Sequence, residues 1–185
     1  MRDLTGAGAS RGSDGIHNED GFLCDDSAGL YVICDGLSSQ PGGEVAAYLA
    51  LTAVEHYLTE VEETGALASE CVTLRIVDEA MRYALQCIAD AVEIRPDLGG
   101  MATTITLLLV QGHRGLVGHV GDSRVYLIRD GRCVQLTADQ EWTETEGTDE
   151  RHPTSAELWS ETFGIEVEPD DLFVLCTDGA EQELE

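Results

Sequence analysis

The stretch LYVICDGLSSQPGGEVAA, residues 30–47, decides how the rest of the chain is read. Its first five residues are apolar and run into Asp35-Gly36, followed by a Ser/Pro/Gly turn and a helix opening at Gly42-Gly43-Glu44. A short apolar run bounded by turn residues is the pattern of a buried strand. Asp35 therefore falls where the strand loses its cover, and its carboxylate can face a ligand. Gly36, having no Cβ, lets a backbone carbonyl approach the same ligand. A carboxylate beside a bare carbonyl is a hard-oxygen donor pair, suited to Mg²⁺ or Mn²⁺. Asp-Gly is also ordinary turn punctuation. What favours a site is recurrence: the apolar run 172–176 meets Thr177-Asp178-Gly179 in the same way.

Composition narrows the partners. The chain has 185 residues, 43% of them hydrophobic, which suits a single folded domain over 1–185. Its formal net charge is −26, and all ten cations are arginine. Such a surface repels nucleic acid and anionic lipid, and attracts divalent cations and basic peptides. Six cysteines are scattered with no C-x-x-C pair, as expected of buried free thiols in a cytoplasmic protein. The N-terminus MRDLTGAGAS lacks the apolar core of a signal peptide, and the longest apolar stretch, 105–110, is too short to span a bilayer.

Along the chain, Asn18-Glu19-Asp20-Gly21-Phe22 sets two carboxylates ahead of an aromatic, and 22–24 forms a hairpin with the Asp35 strand. From Gly42 the period changes: Ala46, Leu49, Ala50, Ala53, Val54, Tyr57 and Leu58 recur at three and four, as on an amphipathic helix broken at Gly65. A second stripe from Leu67 to Ala91 predicts another helix, ended by Pro96 and Gly99-Gly100. Strands follow at 102–110, 115–120, 125–128 and 133–136, the last pair joined by Asp130-Gly131, and they read as one antiparallel meander. Residues 137–170 are acidic and read as a long flap with one short helix near 156–161.

Four acidic stations emerge: Glu19-Asp20, Asp35-Gly36, Asp122 and Asp178-Gly179. Gathered at one edge they would repel without a counter-ion, and a binuclear metal centre relieves that repulsion while supplying hydrolytic chemistry. His17, His56, His113, His119 and His152 show neither i, i+4 pairing nor cysteine neighbours, so zinc is not indicated. Each reads as a surface or half-buried side chain, with His119 set apart by its closeness to Asp122.

Five segments, NEDGF (18–22), VICDGLSSQPGGEVAA (32–47), GGMATTITLLLV (99–110), VGDSRVYLIRDGRCVQLTAD (120–139) and DDLFVLCTDGA (170–180), occur in one order. Together they resemble the motifs of the metal-dependent serine/threonine protein phosphatases of type 2C. The resemblance implies an α+β fold: an α-β-β-α sandwich of two antiparallel sheets flanked by helices. It implies two Mn²⁺ or Mg²⁺ ions, with a weaker third, and removal of phosphate from phosphoserine or phosphothreonine through a metal-bridging hydroxide, without a phosphoenzyme. By resemblance, Asp35 bridges the metals, Gly36 gives its carbonyl and Asp178 is a further ligand. Glu19 and Asp20 hold metal-bound water, and Asp122 serves the third ion. The acidic stretch, about 138–170, matches the family's variable flap.

The sequence departs from that pattern twice. The family's phosphate-binding arginine is replaced by Gly15, with Arg11 nearby. The family's last metal-binding Asp and final core strand have no counterpart before Glu185, where Glu181, Glu183 and Glu185 are the available acids. Three readings follow. The chain is a phosphatase acting on phosphoproteins with basic segments, an inactive pseudophosphatase kept as a binding module, or an acidic cation-binding protein without catalysis.

Overall fold

Alternation along the strands sorts this chain into layers. A computed structural model describes residues 4–10, 18–65, 74–140 and 160–181. The strands are β1 (Asp20–Asp25), β2 (Leu30–Asp35), β3 (Ile105–Gln111), β4 (Arg114–Val120), β5 (Arg124–Arg129), β6 (Arg132–Gln135), β7 (Glu161–Glu166) and β8 (Leu172–Cys176). The helices are α1 (Gly43–Glu63), α2 (Leu74–Ile94) and the short α3 (Asp178–Glu181). Two antiparallel sheets result, one of five strands in the order β1-β2-β3-β4-β7 and one of three in the order β6-β5-β8.

Register decides which side chains share a face, because residues alternate across a strand. Leu30, Val32 and Cys34 of β2 lie with Ile105, Leu107 and Leu109 of β3 and with Leu116 and Val120 of β4, all buried. They pack against Ala46, Ala47, Ala50 and Val54 of α1 and Val77, Met81 and Ala84 of α2. At Gly118 a Cβ would stand 2.7 Å from Val77 Cγ1, so α2 lies directly on β4. The opposite face carries Leu108, Val110, Val117, Phe163 and Ile165, which meet Val125, Phe173 and Leu175 of the small sheet. This is the α+β sandwich expected. Among the described residues the long helices flank only the five-stranded sheet. The outward face of the other exposes Leu172 (55%) and Val174 (37%).

The expected single meander divides between the two sheets. Strands β3 and β4 belong to one, β5 and β6 to the other, and the turn Gly121-Asp122-Ser123 carries the chain across. Gly121 has φ +106, and a Cβ there would lie 2.6 Å from Thr104 Cγ2, so only glycine fits. Asp130 and Gly131 both have positive φ (52 and 73), as the tight β5–β6 hairpin requires.

The acidic 138–170 stretch is not wholly a loop. Glu161 to Glu166 is strand β7, paired with β4. Phe163, Ile165 and Val167 alternate with polar residues and bury their side chains in the inter-sheet cluster. Of the expected short helix, 156–159 fall outside the described residues and Glu161 opens the strand. The thiols also depart from expectation. Cys34 is buried, but Cys24 and Cys133 are exposed, and Cys87 and Cys176 are half-buried. Cys71 and the first part of the second helical stripe lie outside the described residues.

Arg129 braces the layers. Its Nε and Nη2 donate to Asp171 Oδ1 (2.8 Å) and Oδ2 (2.7 Å), Nη1 to Glu168 Oε1 (2.7 Å), and Nη2 also to the Glu166 carbonyl (2.8 Å). One guanidinium thus ties β5 to the end of β7 and the link into β8, using the bidentate geometry that lysine lacks. Its hydrogen bonds hold the Asp171 carboxyl below the usual carboxylate range.

Candidate metal centre

Asp20 and Asp35 are register partners across β1–β2, so both side chains leave the sheet on the face turned toward the second sheet. Like charges directly opposite are unfavourable in a ladder. The two carboxyl groups lie within hydrogen-bonding reach of each other. Burial first, then Asp20, then Asp178 and Asp122, push the Asp35 carboxyl from its ordinary 3.8 up to about 8. Residues 143 positions apart, Asp35 and Asp178, thus share one electrostatic environment with Asp122.

Each acid arrives by a different route. β1 and β2 bring Asp20 and Asp35 by pairing. The crossing turn between the sheets brings Asp122, which is exposed. The end of β8 brings Asp178, also exposed, and Thr177 Oγ1 donates a long hydrogen bond to Asp20 Oδ2 (3.4 Å).

Glu19 enters from the chain before β1. Its carbonyl accepts from Gly36 N–H (3.1 Å), and its Oε2 is buried with no hydrogen-bond partner. That oxygen faces the opening of α1: a Cβ on Gly43 would come within 2.8 Å of it. Gly36 itself is needed for a reason the sequence did not reveal. A Cβ there would stand 2.4 Å from the Gly43 backbone, so the first residue of α1 rests against the end of β2.

Behind the acids lies a buried layer of hydroxyls. Asp35 N–H donates to Thr104 Oγ1 (2.9 Å), while Asp35 C=O accepts from Thr104 N–H (2.8 Å) and Thr103 Oγ1 (2.9 Å). Thr104 Oγ1 also meets Ser123 Oγ at 2.7 Å. Farther along, His119 Nε2 lies 3.2 Å from the Ala138 carbonyl, which can only accept, so the proton sits on Nε2. Nδ1 then accepts from Thr106 Oγ1 (3.0 Å). His119 is fully buried, and burial lowers its pKa despite the Ala138 carbonyl. It is a neutral, satisfied core histidine, deeper than the half-buried placement expected.

Residues 136–140 close over the crossing turn from outside. Arg124 grips Asp139 through Nε (2.8 Å) and Nη2 (2.6 Å), and Gly121 exchanges bonds with Gln140. The hydroxyl layer and this outer strap were not singled out by the sequence. Their signal was there, since Thr103, Thr104 and Thr106 interrupt an apolar run, and buried hydroxyls need partners.

Gly15, Arg11, Glu183 and Glu185 lie outside the described residues. Among the described residues, no three His, Cys, Asp or Glu side chains form a ready-made ion cage. The acids instead line an open rim, as mutually repelling carboxylates do. The donors nonetheless suit a hard divalent cation. They are all oxygen, one is a buried carboxylate oxygen without a partner, and another carboxyl is pushed up to about 8 by burial and the neighbouring acids.

Comparison with known proteins identifies the family and the fold. A sequence model of the protein phosphatase 2C family matches residues 7–185. The serine/threonine protein phosphatase PstP of Mycobacterium tuberculosis is 38% identical over 191 residues, covering 94% of this chain and 35% of that protein. The chain therefore spans about a third of the length of that curated relative. The crystal structure of the M. tuberculosis phosphatase PstP/Ppp superposes with a TM-score of 0.73 at 30% identity, covering 92% of this chain and 77% of that one. The PstP catalytic domain in complex with two manganese ions gives a TM-score of 0.74 at 33% identity, covering 92% and 76%. With nearly its whole length matched and its fold shared, this chain belongs to the protein phosphatase 2C family.

Proposed function

We propose that this chain hydrolyses phosphoserine and phosphothreonine in proteins with the help of Mn²⁺ or Mg²⁺. The observation that carries the reading is the meeting of Asp20 and Asp35 across one ladder, with Asp178 and Asp122 brought to them from the second sheet and the crossing turn. In this reading Asp35, the Gly36 carbonyl and Asp178 hold the two principal cations, Glu19 and Asp20 orient the coordinated water, and Asp122 serves a weaker third ion. The cations would supply Lewis acidity toward a phosphoryl group and a nucleophile usable at neutral pH. The protein's own part is to hold Asp35 by both backbone groups on Thr104, and to keep Glu19 Oε2 turned inward and dry. A net charge of −26 supports targets with basic segments.

The test is hydrolysis of a phosphothreonine peptide by the purified chain, with and without Mn²⁺. Turnover that depends on Mn²⁺ is expected. Tight Mn²⁺ binding with no turnover above the uncatalysed rate would replace this reading with that of a pseudophosphatase.

A further inference from the structure

We propose that Thr104 is a positioning residue, fixing Asp35 relative to the Asp122 turn so that the rim can hold a divalent cation. The inference rests on the function proposed above and adds a residue which that reading does not use. Thr104 lies at the entry to β3 and is 2% exposed. Both arms of its side chain are committed. Oγ1 accepts from Asp35 N–H at 2.9 Å and meets Ser123 Oγ at 2.7 Å, while Cγ2 fills the space that a Cβ on Gly121 would enter. Its backbone N–H takes up the Asp35 carbonyl at 2.8 Å.

Thr104 therefore touches the backbone of Asp35, the residue before Asp122 and the residue after it. No other single side chain described above joins these two acids. Ser123 is also fully buried, so neither hydroxyl can trade this bond for water. Losing the Thr104 hydroxyl would leave Asp35 N–H and Ser123 Oγ unsatisfied together, the situation in which buried polar groups shift to find partners. A displacement of Asp35 against Asp122 changes the oxygen spacing offered to an ion, and supporting residues of metal sites typically contribute about 10–100-fold to affinity.

The experiment is calorimetric titration of Mn²⁺ into the metal-free full chain, comparing wild type, Thr104→Val and Thr104→Ser well below their melting temperatures. Thr104→Val keeps the shape and removes the hydroxyl; Thr104→Ser keeps the hydroxyl and removes the methyl. The expected result is Mn²⁺ binding weakened by about tenfold in Thr104→Val and retained within about threefold in Thr104→Ser. A purely structural role predicts a lower melting temperature for Thr104→Val with unchanged Mn²⁺ affinity. A loss of less than about fivefold therefore overturns the proposal, as does an equal loss in Thr104→Ser. Should Thr104→Val fail to fold, Ser123→Ala removes the bond from its other end. About threefold weaker binding or more supports the assignment, and less overturns it. A wild-type chain that binds no Mn²⁺ defeats the metal-centre reading itself, a result distinct from equal binding by wild type and variants.

Discussion

Asp20 and Asp35 face each other as partners in an antiparallel ladder, on the face that looks toward the second sheet. Two acids in register at the end of a hairpin work against its stability unless a proton or a cation sits between them. Burial and the neighbouring carboxylates raise Asp35 to about 8, which means that the metal-free protein answers with a proton. Stability and function therefore pull on this pair in opposite directions.

Asp35→Asn separates the two demands. The substitution removes the repulsion and is expected to raise the melting temperature of the metal-free protein at pH 8. It should abolish Mn²⁺-dependent hydrolysis, a loss on the order of 10³-fold, or about 4 kcal/mol. A thermal melt and a phosphopeptide assay on the same preparation check both halves. A variant that is no more stable at pH 8 contradicts the claim of repulsion.

The pH dependence has a definite sign. The Asp35 carboxyl goes from 3.8 to about 8 on folding, so between these values the folded chain holds a proton that the unfolded chain has released. Its contribution to metal-free stability is thus present in full below 3.8 and is lost as pH rises through about 8. His119 works the other way. Its lowered pKa means that the unfolded chain takes up protons first, so stability from this group falls as pH drops below 6.5. Urea denaturation of wild type and Asp35→Asn from pH 5 to 8 should show a downward slope in the first that flattens in the second. Mn²⁺ affinity should climb with pH up to about 8, since the cation must displace that proton.

Arg129→Met tests the brace between the sheets. It leaves the Asp171 carboxylate, whose side chain is 2% exposed, with only the Glu168 N–H as a partner among the hydrogen bonds named. Breaking an ion pair from one side strands the other charge, and a lower midpoint of chemical denaturation is expected. Arg129→Lys should recover only part of the drop, because an ammonium cannot donate along both Asp171 oxygens in parallel. Full recovery in the lysine variant would show that charge alone matters.

Two glycine substitutions distinguish fold from site. Gly118→Ala pushes a methyl to within 2.7 Å of Val77 and 3.2 Å of Met81, and should cost about 1–3 kcal/mol while leaving Mn²⁺ affinity unchanged. Gly36→Ala meets the rigid Gly43 backbone at 2.4 Å instead. It must displace the end of β2, and with it Asp35, so it should weaken Mn²⁺ binding as well as stability. Melting curves with and without Mn²⁺ read both effects.

Much of this was legible in the sequence. The hairpin carrying Asp20 and Asp35 showed in two apolar runs, and α1 in its apolar spacing of three and four. The tight turn at Asp130-Gly131 was legible because left-handed backbone favours those residues. Strand β7 was hidden in an acidic stretch, although Phe163, Ile165 and Val167 alternate as a half-buried strand should. The change of sheet at Gly121 was not legible, because consecutive strands usually pair and nothing local says otherwise. A second reason for glycine at position 36 was hidden in a similar way. The demand comes from Gly43, a contact that exists only once α1 is seated.

The acids of the rim do not all come from one sheet. Asp20 and Asp35 ride on the large sheet, Asp178 on the end of β8, and Asp122 on the connection between. An ion gripped by all of them would act as a rivet through the sandwich, resisting shear of one sheet over the other. Loading with Mn²⁺ should then slow protease nicking and amide exchange along β5 and β8 as far as Ile128 and Leu172, the ends of these strands remote from the ion. Cargo and fastener would be the same atom.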